Sequence, residues 1–219
     1  MIDCAGSRYK RAFAGRPGAP AHLALEYAVR AMTSFLTAFG LAGAAGLNAY
    51  VPVLVIAVLA RLGVVHLAAP LDVLTQGWAL ALVSVLLVIE LFVDKIPGVD
   101  HVNDIVQTVV RPAAGALAFA AGAGVVTDVP SWLPIVIGLV TAFSVHALKA
   151  SARPAVNAST LGFGAPVVSA IEDVTALVTS VVAVFLPVFV ALFVLAILVG
   201  LFALYRRKKR AALTASRSG

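Results

Sequence analysis

The chain has 219 residues, of which 62% are apolar and only 12% charged, and its formal net charge is +6. Soluble domains carry about 25% charged residues, so this composition excludes an ordinary water-soluble globular protein. At about 20 apolar residues per crossing, the length suffices for roughly five or six membrane spans. The expected fold is all-α: a polytopic transmembrane helix bundle with broken or re-entrant segments.

The positive charge is gathered at the two ends. Arg8, Lys10, Arg11, Arg16 and Arg30 precede the first apolar run, and Arg206, Arg207, Lys208, Lys209 and Arg210 follow the last. Basic runs can bind nucleic acid. Flanking apolar spans, they instead fit the bias of cytoplasmic loops toward Lys and Arg, with anionic lipid as the partner. No nucleic-acid partner is expected. Cys4 is the sole cysteine, so neither an internal disulfide nor a cysteine metal site can form.

In chain order, residues 1–31 are basic and rich in Gly, Pro and Ala, and read as a disordered N-terminal tail. Met32-Thr33-Ser34-Phe35 offers a second candidate start just before the first span. Residues 32–205 read as the transmembrane domain and 206–219 as a basic cytoplasmic tail. The apolar block from Phe35 to Leu71 is too long for one simple span. Its glycines Gly40, Gly43 and Gly46 recur every three residues and allow close helix packing. Asn48 and Pro52 then predict a break, because proline removes a backbone donor.

Further spans are expected from Trp78 to Val93, from Arg111-Pro112 to Val126, from Trp132 to Lys149, and from Val174 to Tyr205. Ser131 is a candidate cap for the fourth span of the chain, and Pro187 a kink in the last. Pro97 and Gly98 predict a break after Asp94. The stretch Ser151–Asp173, interrupted by Gly162 and Pro166, reads as a re-entrant segment packed inside protein. Five spans would put the two basic ends on opposite sides. Hence either the first block crosses twice, or Ser151–Asp173 crosses, or the tail before Met32 is not native. The C-terminal run of five basic residues places the C-terminus in the cytoplasm of a cell whose plasma or inner membrane holds the protein.

Two polar clusters interrupt these apolar runs. Ionisable groups within a membrane are expensive, and they face protein or water and carry function. The first cluster is Glu90, Asp94, Lys95, Asp100, His101, Asp104 and Arg111. Glu90 and Asp94 are four apart and share a helix face, and Asp100 and Asp104 repeat the spacing on what reads as a new short helix. The second is His146, Lys149, Arg153, Asn157, Ser159, Thr160, Glu172 and Asp173. His146, Lys149 and Arg153 form a basic stripe if the helix continues that far, with Pro154 limiting its extension. Acids of one cluster paired with bases of the other would offset part of the desolvation cost. The alternative is that all of these are loop residues at headgroup level. No ligand spacing marks a metal site, and no cofactor is expected.

A faint internal echo accompanies the clusters. Arg111-Pro112-Ala113-Ala114-Gly115-Ala116 is matched by Arg153-Pro154-Ala155-Val156-Asn157-Ala158, and each half carries a Gly/Pro-interrupted segment. Such pairs point to a transporter's binding site.

The runs Gly46–Pro52, Ile89–Asp104 (IELFVDKIPGVDHVND), Arg111–Ala116 and His146–Asp173 resemble an uncharacterised bacterial integral-membrane family, domain-of-unknown-function family 4126. The resemblance covers about Thr37 to Val199, and its most specific piece is Asp94–Asp100. It implies a multi-pass bacterial membrane protein and supplies neither substrate nor reaction.

Three functions compete. In a small transporter or permease, Glu90 and Asp94 would bind a proton or cation, while Lys149 and Arg153 neutralise them or hold an anionic solute. In a membrane enzyme acting on lipid or polyprenyl phosphate, Lys149 and Arg153 would grip phosphate and His146 act as base or nucleophile. No nucleophile elbow, zincin helix or phosphate loop supports that reading, and a non-enzyme is favoured. In a scaffold, the clusters only lock helices together. Glycine-rich faces permit, without demanding, a homo-oligomer.

Overall fold

The structure, a computed structural model, describes residues 21–96, 99–123, 130, 132–160, 164, 166–185 and 206. The chain divides into two units, Met1–Val184 and Phe185–Gly219. Of the second, only Phe185 and Arg206 fall among the described residues. The expected kink at Pro187, the cap at Ser131 and the breaks at Pro97, Gly98 and Gly162 lie outside the described residues.

Among the described residues every regular element is helical. They are α1 (Ala21–Leu47), α2 (Tyr50–Arg61), a 3-10 turn (Leu71–Thr75), α3 (Gly77–Val93), α4 (Val99–Gly122), α5 (Trp132–Thr160) and α6 (Pro166–Phe185). Four of these hold segments long and apolar enough to cross a membrane: Ala28–Leu47, Val102–Gly122, Trp132–Thr160 and Pro166–Phe185. The protein is a multi-pass membrane protein. The remaining helices are shorter: α2 has 12 residues and α3 has 17. At 1.5 Å per residue, α2 reaches only about 18 Å, less than the ~30 Å hydrocarbon core.

The outward faces show why water is the wrong solvent. On α4, Val102, Ile105, Val106 and Val109 recur at helical spacing, and each is 55–74% exposed. On α6 the exposed stripe is Val167, Ile171, Val174, Val178 and Val181. Continuous apolar stripes of this kind on a soluble protein would drive aggregation; against acyl chains they are at equilibrium. The opposite face of α4 carries Gln107 and Arg111, and that of α6 carries Ser169, Ala176 and Ser180, all buried. This bundle is therefore apolar outside and partly polar within.

Several sequence expectations are corrected. Helix α1 begins at Ala21, so residues 21–31 are helical rather than an unstructured tail, and Arg30 pairs with Glu26 one turn back at 2.9 Å. The first apolar block breaks at Asn48 as expected. Leu41 clusters with Ile56 and Ala44 with Val51, so α2 turns back alongside α1. The Asn48 side-chain oxygen accepts hydrogen bonds from the backbone N–H groups of Tyr50 and Val51, both at 3.1 Å. These are orphan donors of the new helix. Pro52 sits in the first turn of α2, where a missing N–H does no harm.

Helix α4 starts at Val99, not at Arg111, and α5 runs through Pro154 to Thr160. Asp100 and Asp104 therefore belong to a long helix rather than a short one. Pro112 and Pro154 are inside helices, where each removes one hydrogen bond. The stretch Ser151–Asp173 is not a re-entrant segment: it is divided between the end of α5 and the start of α6, which begins at Pro166.

Helices α4 and α5 run antiparallel in a steady register: Asp104 faces Arg153, Arg111 faces His146, and Gly115 faces Ala142. Small residues set the separation. A Cβ on Gly115 would collide with the Ala142 Cβ and come within 2.8 Å of the Gly138 carbonyl oxygen. A Cβ on Gly138 would collide with the Gly115 carbonyl and sit 2.5 Å from the Phe119 Cβ. With little hydrophobic drive between helices in lipid, such close approach supplies the van der Waals contact that holds them. Phe119, fully buried, closes this seam, with Phe35 and Phe39 edge-on to its ring.

Candidate functional site

The two polar clusters form one network. Asp94, at the C-terminal end of α3, is its hub and is 1% exposed. One carboxylate oxygen accepts from the Asn103 amide at 2.7 Å. The other lies 3.3 Å from Arg153, 3.4 Å from Lys149 and 3.5 Å from Arg111. Four helices thus meet on this region: α3 brings Glu90 and Asp94, α4 brings Asn103, Asp104 and Arg111, α5 brings His146, Lys149 and Arg153, and α6 brings Glu172 and Asp173.

The Lys149 ammonium has three oxygen neighbours. It binds Glu172 at 2.8 Å, Asp94 at 3.4 Å and the carbonyl of Leu47 at 3.1 Å. Leu47 is the last residue of α1, where carbonyls have no intrahelical partner, so the break at Asn48 creates this acceptor. Arg153 spans Asp94, Asp104 at 3.3 Å and Glu172 at 3.4 Å. At the rim, Lys95 binds Asp173 at 3.1 Å, and the second oxygen of Asp173 accepts from the Asn48 amide at 2.9 Å.

Glu90 and Arg111 lie deeper. Their salt bridge is 3.1 Å long, with the two side chains 1% and 0% exposed. A second guanidinium nitrogen of Arg111 is 3.2 Å from His146 Nδ1, and Thr108 Oγ1 is 3.1 Å from His146 Nε2. Within the span Val102–Gly122, Arg111 is nine residues from one end and eleven from the other. That is about 14 and 17 Å by helix rise, which places Arg111 near midspan. His146 is likewise central in Trp132–Thr160. The network therefore runs from midspan to the helix ends at Val99, Thr160 and Pro166. Toward the other face it stops at the Gly115–Gly138–Phe119 seam.

Among the described residues five carboxylates, Glu90, Asp94, Asp104, Glu172 and Asp173, meet four cations, Lys95, Arg111, Lys149 and Arg153. Several buried polar atoms have no hydrogen-bond partner among the described residues: Glu90 Oε2, Gln107 Oε1, Arg111 Nε, Asp104 Oδ1 and Ser169 Oγ. A buried polar atom left unpaired costs about 1–3 kcal/mol; three of these five belong to network residues, and Gln107 is one helical turn from Arg111.

Of the residues singled out from sequence, Glu90, Asp94, Lys95, Asp104, Arg111, His146, Lys149, Arg153, Glu172 and Asp173 converge, and Asn48 joins them. Asp100 and Asn157 lie on α4 and α5, and their side chains fall outside the described residues. Ser159 and Thr160 donate to the carbonyl of Val156 on their own helix, and Thr160 also accepts from the backbone N–H of Gly164, so neither joins the network. Asn103, Gln107 and Thr108 are not evident from sequence. The available signal is that Gln107 and Thr108 stand three or four residues from Asp104 and Arg111, with Asn103 four before Gln107, and it is hidden when the helix is started at Arg111.

No curated protein and no solved structure matches the chain. The profile of a family described as Domain of unknown function (DUF4126) matches residues 35–207, which takes in every residue of the network. The chain belongs to the DUF4126 family.

Proposed function

We propose that this protein is a small transporter or permease for an ion or small solute, with its ionisable centre at Glu90, Arg111 and His146. One observation carries the reading: Arg111 is fully buried near the middle of a membrane span, bonded to a carboxylate from α3 and facing an imidazole from α5. Charges at such depth mark substrate or ion pathways. The chain of ionisable groups from there to one helix end supplies a polar route across half the bilayer, and the close-packed glycine seam forms the barrier across the other half. The basic run Arg206–Arg210 supports a cytoplasmic C-terminus in a cell membrane, by the positive-inside bias.

The test is flux in proteoliposomes loaded with a pH-sensitive or ion-sensitive dye and challenged with a panel of ions and small solutes. Wild-type protein gives flux above empty vesicles, and Glu90→Gln reduces it at least tenfold. Wild-type flux equal to that of empty vesicles across the panel overturns the proposal.

A structural lock is the second reading, favoured by the pairing of each of the four cations with at least one carboxylate. On that reading Glu90→Gln changes the melting temperature and no flux exists to change.

A further inference from the structure

We infer that Glu90 is the proton-binding site of this network, taking up and releasing one exchangeable proton on Oε2, with Gln107 Oε1 as the hydrogen-bond acceptor for the protonated form. Two independent observations lead there. The first is charge. Among the described residues of the network the carboxylates exceed the cations by one. Neutralising Glu90 strands no cation, because Arg111, its ionic partner there, also contacts Asp94 at 3.5 Å. With Glu90 neutral, four carboxylates face four cations.

The second is hydrogen bonding. Glu90 Oε1 accepts from Arg111, while Oε2 is buried with no partner among the described residues. Gln107 Oε1, on a residue 3% exposed and one turn from Arg111, is equally unpartnered. Both are acceptors, and Arg111 carries one unpartnered donor, Nε, so these three residues are one donor short. A carboxylic acid has an O–H donor that a carboxylate lacks, so protonation converts Oε2 from an unmet acceptor into a donor. Gln107 lies one helical turn before Arg111, which bonds Glu90, and this places the two groups in one neighbourhood. The other ionisable groups facing Glu90 are Asp94 on its own helix and Lys149 on α5.

The proton enters or leaves by the polar side of the network; the seam at Gly115 and Phe119 offers no ionisable group. Proton binding at Glu90 stands on this geometry alone. Its use as the coupling ion, or as the transported ion itself, rests on the transporter reading.

The experiment is infrared difference spectroscopy of the full-length protein in lipid across a pH series, reading the carbonyl stretch of a protonated carboxyl. The wild type shows this band at low pH and loses it as pH rises. Glu90→Gln removes the band. Gln107→Leu keeps it but shifts it to higher frequency, because the hydrogen bond to the acid is gone. Glu172→Gln leaves it in place, and its melting profile controls for folding. Retention of the whole band in a folded Glu90→Gln protein overturns the assignment, as does a wild-type band that never changes with pH. Absence of flux across the whole panel in proteoliposomes with the band intact would end the transport reading while leaving the proton site standing.

Discussion

Glu90 and Arg111 meet 3.1 Å apart from neighbouring helices α3 and α4, both sealed from solvent, and Arg111 sits near the middle of its span. In so low a dielectric Glu90 depends on Arg111 for its charge, whereas Arg111 also has Asp94 at 3.5 Å. Breaking a buried pair by removing one partner costs about 3–5 kcal/mol, chiefly through the charge left behind. Arg111→Met should therefore destabilise the protein by about that amount, because it strands Glu90 and weakens the hold on Asp94. Adding Glu90→Gln to Arg111→Met should restore part of the loss. Melting curves of the two variants in the same detergent check this, and a double variant no more stable than the single would count against the pair.

Arg153 and Asp104 share a salt bridge but not a burden. Asp104 pairs with Arg153, whereas Arg153 also holds Asp94 and Glu172. Asp104→Asn should cost about 1.5–3 kcal/mol, the range for one bond to a charged group. Arg153→Gln should cost more, since three carboxylates lose a cation together. The ratio of the two shifts in denaturation midpoint is the measurement. Equal shifts would mean that Arg153 acts through Asp104 alone.

At the helix break, Asn48 is amide for a reason. Its oxygen caps Tyr50 and Val51, and its nitrogen donates to Asp173. Asn48→Ala should cost about 1–2 kcal/mol through the lost cap. Asn48→Asp keeps the capping oxygen but sets a carboxylate against Asp173. It should be at least as harmful, and adding Asp173→Asn should rescue it by exchanging the two groups. Failure of that rescue in a thermal melt would show that the bond between positions 48 and 173 is not what sets the requirement.

The α4–α5 seam predicts a steric effect. Gly138→Leu must push α5 from α4, since even a Cβ there strikes the Gly115 carbonyl and the Phe119 side chain. Overpacking of this sort costs about 1–3 kcal/mol. It should also loosen the barrier, so the variant reconstituted in vesicles leaks more than wild type. The same substitution at Gly43, where a Cβ meets nothing within 4 Å, should change stability far less.

Much of the fold is legible without coordinates because the physics is one-dimensional. Hydrocarbon demands long apolar helices, and the positions of Phe35, Trp78, Trp132 and Val174 locate four of the apolar stretches. The break at Asn48 follows from an amide close to a proline. Helix ends are another matter. Read from sequence, α4 starts at Arg111 and α5 stops at Lys149, because polar residues look like the end of a span. In fact a helix can carry polar residues onward so long as they face protein, and only the neighbours on α3 and α6 make that face polar.

The candidate site divides the same way. That Glu90, Asp94, Arg111, His146, Lys149 and Arg153 are costly in a membrane, and therefore belong together, follows from composition and spacing alone. Which acid meets which base does not. The pairing depends on the register of α4 against α5, set by Gly115 and Gly138, and on the turn at Asn48, which delivers the Leu47 carbonyl to Lys149. Solvation free energy is a property of each side chain and can be read along a chain. Partnership is a matter of distances between segments, and only packing in three dimensions decides it.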